Sequence, residues 1–450
     1  MVVDLTCYVG RGWPTKVLFI LFGSLALLAC TARGQQTPID TRLAKEYFRD
    51  AQDASGRDHG TLWGEELYGP MLFMDAETHA VVANQPDREG KLRPRDGVYE
   101  GKLPSEIAPA NTAFQWAGVD WTMVTWPPPE LRQARVRLLM HECFHRVAPR
   151  IGLSGTDASP SHLDSRDGRI WLEMEWRALE QAMWRQGAAR QKAVADALYF
   201  RAYRRSLFPG AAVKENALEM NEGLAEYTGV KLSTASPEEF AMVEDATLRQ
   251  APTRHPNFVR SFAYDSGPAY GLLLDALGTP WRKSLMPQSD LAALLARTSQ
   301  IEVPTVNEDE AVRRARSYDG EEIISLETQR DQDRQARLAS ARQRFIAGPV
   351  LVLPVGAQFS YGFDPNHVLG VDESSTVYEG GQVSDVWGVL QASGGFLIVR
   401  GTRHVIRVQV PAPASTQERP LKGEGWTLKL TPGWTLEPGP RPGDFILKQN

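Results

Sequence analysis

The sequence predicts an α+β protein with a mixed sheet near its start, a helical middle and a β region at its end. Residues 61–129 alternate short apolar runs with turn residues, whereas residues 130–345 space their apolar residues as helices do. Residues 346–450 return to short apolar runs separated by Gly, Pro and Asn. With 450 residues, 42% of them hydrophobic, the chain has enough apolar material for two or three cores.

The first 32 residues are predicted to be an export signal. Arg11 and Lys16 precede the apolar run 17–29, which suits the centre of a signal peptide and is shorter than an ordinary membrane span. The run ends in Leu-Leu-Ala-Cys and resembles the lipobox of bacterial lipoproteins, in which the cysteine, here Cys30, carries the lipid. The alternative is plain secretion with cleavage after Ala32. We expect a cell-envelope protein that meets the membrane only through a lipid anchor, or else a periplasmic or secreted one.

Charge and cysteine content narrow the function classes. The net charge is −5 and no basic stripe is present, so we expect no nucleic-acid partner. If Cys7 is removed and Cys30 is lipidated, Cys143 remains alone, and no intramolecular disulfide is available. Residues 33–60 are polar and are predicted to be a linker with a short helix.

Two strand pairs are predicted before the helical stretch. Residues 70–85 contain two apolar runs around a polar break, and residues 111–126 contain two runs around Ala-Gly-Val-Asp. We expect the tryptophans at 116, 121 and 126 to pack in the core. Prolines 127–129 then end the strand and open a helix. Further helices are predicted at 130–147, 168–185 (capped by Asp167), 190–208, 215–229 (ended by Gly229), 262–278, 291–298 and 327–345.

The stretch HECFHR at 141–146 is the first chemical signal. His141 and His145 stand four residues apart on the predicted helix, so both imidazoles face one side and can share one zinc ion. Glu142 beside them suits a general base that takes a proton from a zinc-activated water. The alternative is a charged helix with two exposed histidines. We expect Cys143 to be a buried thiol rather than a ligand.

NEGLAEY at 221–227 is the second signal. HExxH followed by a helix with Asn-Glu-x-x-Ala-Glu resembles the gluzincin zinc metallopeptidases, of the peptidase MA-like type, and is closest in motif to their aminopeptidase branch. The resemblance covers roughly 130–275. It implies a zincin-like mixed sheet followed by a helical catalytic region, Glu222 as third zinc ligand, and Glu226 as a carboxylate that orients a ligand histidine.

The chain departs from that family in two ways. Glu222 lies 77 positions after His145, much farther than in the aminopeptidase branch, and the excess corresponds to an insertion at 148–208, which could cap the cleft and restrict substrates. Glu175 and Glu173 inside it are competing third ligands, although Glu175 is expected to pair with Arg177 instead. No Gly-Ala-Met-Glu-Asn string is present, so N-terminal trimming is not implied. Residues 111–126 are expected to supply the edge strand that binds an extended peptide.

Peptide hydrolysis also needs a donor for the oxyanion. The resemblance implies Tyr264, in Tyr-Asp-Ser-Gly at 264–267, with Tyr270, Tyr227 and His255 as alternatives. The sequence thus predicts an exported zinc metallopeptidase acting on a peptide or protein substrate. The alternative is a non-catalytic cell-envelope lipoprotein on a zincin scaffold, with a structural metal or none.

Overall fold

The computed structural model describes residues 39–449, apart from 105, 106, 108, 157, 256, 357, 364–366, 373, 402 and 403. The expected export signal, including Cys30, and the start of the expected linker lie outside the described residues.

The described helices are α1 (Thr41–Asp58), α2 (Arg132–Val147), α3 (Arg166–Trp184), α4 (Gly187–Leu207), α5 (Ala211–Leu218), α6 (Leu224–Ser233), α7 (Pro237–Arg254), α8 (Ser261–Ala276), α9 (Leu291–Thr298), α10 (Glu308–Ala315) and α11 (Gly320–Arg342). The described strands are β1 (Met71–Asp75), β2 (Ala80–Ala83), β3 (Arg93–Arg95), β4 (Val98–Lys102), β5 (Thr112–Trp116), β6 (Val119–Trp126), β7 (Val350–Pro354), β8 (Ser360–Phe363), β9 (Val368–Gly370), β10 (Ser375–Tyr378), β11 (Gly381–Asp385), β12 (Gly388–Ala392), β13 (Phe396–Arg400), β14 (Val405–Pro411), β15 (Leu421–Gly423), β16 (Trp426–Leu430), β17 (Trp434–Pro438) and β18 (Phe445–Gln449). The α+β class is confirmed.

The first six strands form one mixed sheet in the order β3-β4-β2-β1-β6-β5. β1 and β6 run parallel, while the other neighbouring pairs are antiparallel. The two predicted strand pairs are β1–β2 and β5–β6. Among the described strands, β5 pairs with β6 alone, so its other side is the open edge that residues 111–126 were expected to supply.

The two faces of this sheet bury alternate residues. Phe73 and Val124 lie in the core shared with the helices, whereas Leu72, Met123 and Trp121 lie in a second cluster on the opposite face. This alternation follows from the two-residue period of a strand. Packing thus accounts for the buried tryptophans of the sheet, as expected.

Helix α1 is longer than the short helix expected within the linker at 33–60, and it leaves little of that linker. It is 18 residues long, and Asp40 caps its first turn by accepting from two backbone N–H groups. Its buried stripe contains Ala44, Phe48, Ala51 and Ala54, which pack into the main core. Three of the seven buried residues of the helix are alanine and two, Asp50 and Ser55, are polar, so the helix gives a weak apolar signal in the sequence.

Helices α2 to α10 share the main core with α1 and one face of the sheet. α2 packs against α6, and α3 packs against α4, α7, α8 and α11. Ser165 rather than Asp167 caps α3, because its Oγ accepts from the backbone N–H of Gly168. α3 and α4 form the body of the expected insertion at 148–208. Both helices are embedded in the core rather than standing over the cleft as a cap.

The last twelve strands form two sheets, β17-β18-β7-β14-β13-β10-β9 and β15-β16-β12-β11-β8. Trp387, Leu390, Phe396 and Leu428 belong to the core between them. The end of α11 packs on this region through Leu338 and a neighbouring small cluster. Across the described part of the chain, none of the helices has the length and apolar character needed to span a membrane.

Candidate metal centre

Helix α2 presents both histidines to one side. The Nε2 atoms of His141 and His145 lie 3.1 Å apart, and their ring centroids are separated by 4.9 Å. Residues four apart lie one above the other on a helix, which accounts for this proximity. The helix ends just after His145, at Val147, so both rings lie near its C-terminal end.

Helices α2 and α6 are in close backbone contact at Gly229. A Cβ added at Gly229 would lie 2.4 Å from the carbonyl oxygen of Arg137, so the two backbones touch there. Gly229 is therefore a crossing point inside α6, which continues to Ser233, and its predicted role as the helix end was wrong. Glu226 and Glu222 lie about one and two turns earlier and face the histidines of α2.

A π-helical turn, Glu219–Gly223, joins α5 to α6 and carries Glu222. Such turns are rare and recur at functional sites, because one extra residue changes the direction of the side chains around it. Here, Oε2 of Glu222 lies 3.4 Å from Nε2 of His141 and 3.4 Å from Nε2 of His145.

His141, His145 and Glu222 thus point one ligand atom each toward a common centre. Within the described ranges, these residues form a group of possible metal ligands whose atoms all lie within 4.8 Å of one another. Burial lowers the pKa of His141, but the carboxylates of Glu222 and Glu226 outweigh burial and raise it to about 10. Burial raises the pKa of Glu222, yet hydrogen bonds from the histidines and Tyr264 bring it far below its usual range. The carboxylates thus favour positive charge on the His141 ring, and the hydrogen-bond donors favour the ionised form of Glu222.

Glu226 contacts Nδ1 of His141, the ring nitrogen that does not face the centre. Its Oε2 lies 2.6 Å from Nδ1 of His141, while its other oxygen accepts from Nε of Arg137. A carboxylate on Nδ1 keeps the proton there and leaves Nε2 free to face the centre. Burial raises the pKa of Glu226, but the bond to His141 and the charge of Arg137 lower it below its usual value.

Glu142 lies beside the centre with unused hydrogen-bonding capacity. Its side chain is buried, and its Oε2 has no hydrogen-bond partner among the described residues. Burial raises the pKa of this carboxyl above its usual value. An unpartnered buried carboxylate oxygen is costly, which is typical of a group reserved for chemistry.

Tyr264 on α8 is the tyrosine that reaches the centre. Its hydroxyl donates to Oε2 of Glu222 at 2.6 Å, and its ring stacks on that of His141 with centroids 5.4 Å apart. The expected alternatives bond elsewhere: Tyr270 to Glu175, Tyr227 to Asp275, and His255 to Asp265.

The competing ligands lie away from the histidines. Glu175 pairs with Arg201 and Arg204 in the interior. The expected Glu175–Arg177 pair was wrong, because Arg177 pairs with Glu180 one turn farther along α3. Glu173 faces Arg169 and Glu327, as described below.

The centre opens into a cleft of about 380 Å³. Thr112 and Ala113 of the edge strand β5 form one wall, and the loop at 148–155 forms another. That loop touches the π turn, since a Cβ on Gly155 would lie 2.4 Å from Cβ of Asn221. Arg260 also lines the cleft, with its guanidinium 3.6 Å from Oε1 of Glu222. Sequence reasoning missed Arg260, since no motif surrounds it.

Cys143 is buried and free, as expected, with its thiol turned toward Thr122 of the sheet. Burial raises the pKa of the thiol to about 11, so it is an unreactive core residue. No family model, curated protein or solved structure matches this chain.

Proposed function

We propose that this protein is an exported zinc metallopeptidase of gluzincin type. The observation that carries the proposal is the triangle of His141 Nε2, His145 Nε2 and Glu222 Oε2, with edges of 3.1, 3.4 and 3.4 Å. Tetrahedral zinc with ligands at about 2.0–2.1 Å requires about 3.3–3.4 Å between ligand atoms. The three side chains therefore fit the ion with little movement.

The donor set also favours zinc over other ions. Two imidazoles and one carboxylate suit zinc, whereas calcium and magnesium prefer oxygen ligands. Three protein ligands with a fourth position open are typical of catalytic rather than structural zinc sites. When bound, zinc supplies a Lewis acid that lowers the pKa of water and polarises a carbonyl.

Two side chains supply the remaining chemistry. Glu142 takes the proton of the attacking water on its unpartnered oxygen and passes it to the leaving amine. Its buried position suits this task, because a raised pKa brings the carboxyl closer to neutral pH. The Tyr264 hydroxyl exchanges its bond to Glu222 for one to the developing oxyanion.

The wall of the cleft suits an extended peptide. The open edge of β5 offers backbone N–H and C=O groups beside the centre, and a substrate strand can pair with them. This pairing holds the peptide through its main chain and leaves its termini free. We therefore propose cleavage of peptide bonds in the cell envelope, without a requirement for a free N-terminus.

The test compares wild type with Glu142→Gln. Purified wild-type protein is expected to bind one zinc ion and to cleave a mixed peptide library, whereas the variant keeps zinc and loses cleavage. Stoichiometric zinc with no cleavage by wild type would favour the alternative, a non-catalytic lipoprotein on a zincin scaffold. Wild type that binds no zinc would overturn the metal assignment.

A further inference from the structure

We propose that Arg201 of α4 is a positioning residue for Glu222, holding the π turn that carries this ligand. The inference rests on the proposed metal site. The turn Glu219–Gly223 carries two buried glutamates: Glu222 faces the cleft, whereas Glu219 is 1% exposed and faces the interior. Nη1 and Nη2 of Arg201 donate to the two carboxylate oxygens of Glu219, at 2.7 and 2.5 Å. A bidentate pair of this kind fixes direction as well as distance.

Arg201 is itself held from two sides. Its Nε donates to Oε1 of Glu175 on α3 at 2.8 Å, and its guanidinium lies over the Tyr270 ring, 4.3 Å from the centroid. The Tyr270 hydroxyl donates to the same carboxylate. Because these groups are buried, their hydrogen bonds are strong and directional. Arg201 therefore connects the turn to a rigid part of the core.

The turn also meets α8 directly. A Cβ on Gly267 would lie 2.4 Å from Cα of Gly223, so the two backbones are in direct contact. The turn is therefore held both by Arg201, through Glu219, and by the backbone of α8, at Gly223. The same contact brings Tyr264, on the preceding turn of α8, to Glu222.

The consequence for the ligand follows from helix geometry. Each residue of an α-helix turns by about 100°, so loss of the extra residue of the π turn would redirect the side chains around it. Glu222 would then leave the face shared with His141 and His145. Helices α3 and α4 thus support the turn that carries Glu222 through Glu175 and Arg201. The 77 positions between His145 and Glu222, which include these two helices, therefore have a physical role.

Arg204 provides a matched control. It lies on the same helix, is buried as completely, and also pairs with two carboxylates, Glu175 and Glu215. Glu215 is four residues before the π turn, and among the described residues the guanidinium of Arg204 pairs with Glu215 and Glu175 but with neither glutamate of the turn. A general loss of core stability should therefore affect both arginines alike, whereas a loss of ligand position should affect Arg201 alone.

The experiment measures metal affinity in Arg201→Lys and Arg204→Lys, by competition with a chromophoric chelator, and the visible absorption of the cobalt-loaded proteins. We expect both variants to melt at lower temperature. Arg201→Lys should bind zinc about tenfold more weakly with an altered cobalt spectrum, while Arg204→Lys stays within about twofold of wild type. Glu219→Gln, which keeps the size of the side chain, should repeat the loss and decides the matter if Arg201→Lys does not fold.

Equal affinities in Arg201→Lys and Arg204→Lys, or a wild-type affinity in a folded Glu219→Gln, would overturn the inference. If wild type binds zinc and cleaves peptides while the two lysine variants have equal zinc affinities, this inference fails and the proposed function stands. If wild type binds no metal, both fall together.

Discussion

Nδ1 of His141 lies 2.6 Å from Oε2 of Glu226, and the same carboxylate pairs with Arg137. The contact determines which nitrogen of His141 faces Glu222. It also links the two motifs of the sequence, since HECFHR supplies the imidazole and NEGLAEY supplies the carboxylate that orients it.

The first prediction concerns Glu226. Glu226→Gln should weaken zinc binding by about 10- to 100-fold, because the amide cannot hold the Nδ1 proton as strongly. Isothermal titration of the metal-free protein measures the change. The matched control is Glu244→Gln, since Glu244 is also buried and lies near Arg137 but belongs to α7. Equal affinity in both variants would contradict an orienting role for Glu226.

The second prediction concerns Tyr264. Tyr264→Phe should lower kcat by about 10²–10³, because it removes one donor to the oxyanion while leaving the zinc ligands in place. Steady-state kinetics on a peptide substrate and zinc analysis of the same sample measure the effect. Tyr227→Phe, whose lost hydroxyl contacts Asp275 and Arg282 away from the cleft, should keep kcat. A similar kcat in both variants would exclude Tyr264 from the chemistry.

The third prediction concerns metal removal. The proposed ligands come from α2 and from the π turn, so one ion would join two segments that are distant in sequence. When the free zinc concentration is about 1,000 times Kd, binding raises the free energy of unfolding by about 4 kcal/mol. A chelator that removes the zinc should therefore lower the melting temperature. Added zinc should restore it. His145→Ala should melt at one temperature with and without chelator, and a chelator response in that variant would place the metal elsewhere.

The sequence predicted the parts of the centre that depend on local spacing. Prolines 127–129 and the i, i+4 histidines identify α2, and alternating apolar residues identify β5 and β6. A signal for α7 was also present but was missed. The N-cap Ser236 accepts from the N–H of Glu239, and the Glu239 carboxylate accepts from the N–H of Ala235, one residue before the cap. This arrangement next to Pro237 is close to a capping box, in which the carboxylate bonds the N–H of the cap residue itself.

Other features depend on contacts that spacing does not encode. The crossing at Gly229 and the contact between Gly223 and Gly267 became recognisable only when the partner backbones were in view. A glycine in a helical pattern is equally compatible with the end of the helix and with a close contact between two backbones. Likewise, Glu175 carries one sequence neighbour of opposite charge, Arg177, yet tertiary packing gives it Arg201 and Arg204.

The fourth prediction concerns Glu173, a buried residue of α3 away from the metal centre. Its Oε1 is 3.8 Å from Arg169, whose guanidinium is already held by Glu327 of α11 at 2.6 and 3.0 Å. Burial, together with the charge of Glu327, raises the pKa of Glu173 from 4.5 to about 8. The folded protein therefore holds a proton here that the unfolded chain releases above its own, lower pKa.

The sign of the effect follows from this proton. Between about pH 4.5 and pH 8 the folded state binds more protons than the unfolded state, so stability falls as the pH rises. Glu173→Gln keeps the shape of the side chain and removes the titration, so its melting temperature should fall less than that of wild type from pH 5 to pH 8.5. The control Glu321→Gln alters an exposed glutamate of α11 and should follow wild type. Parallel curves for wild type and Glu173→Gln would show that Glu173 is ionised in the folded protein, and that Arg169 compensates two carboxylates at once.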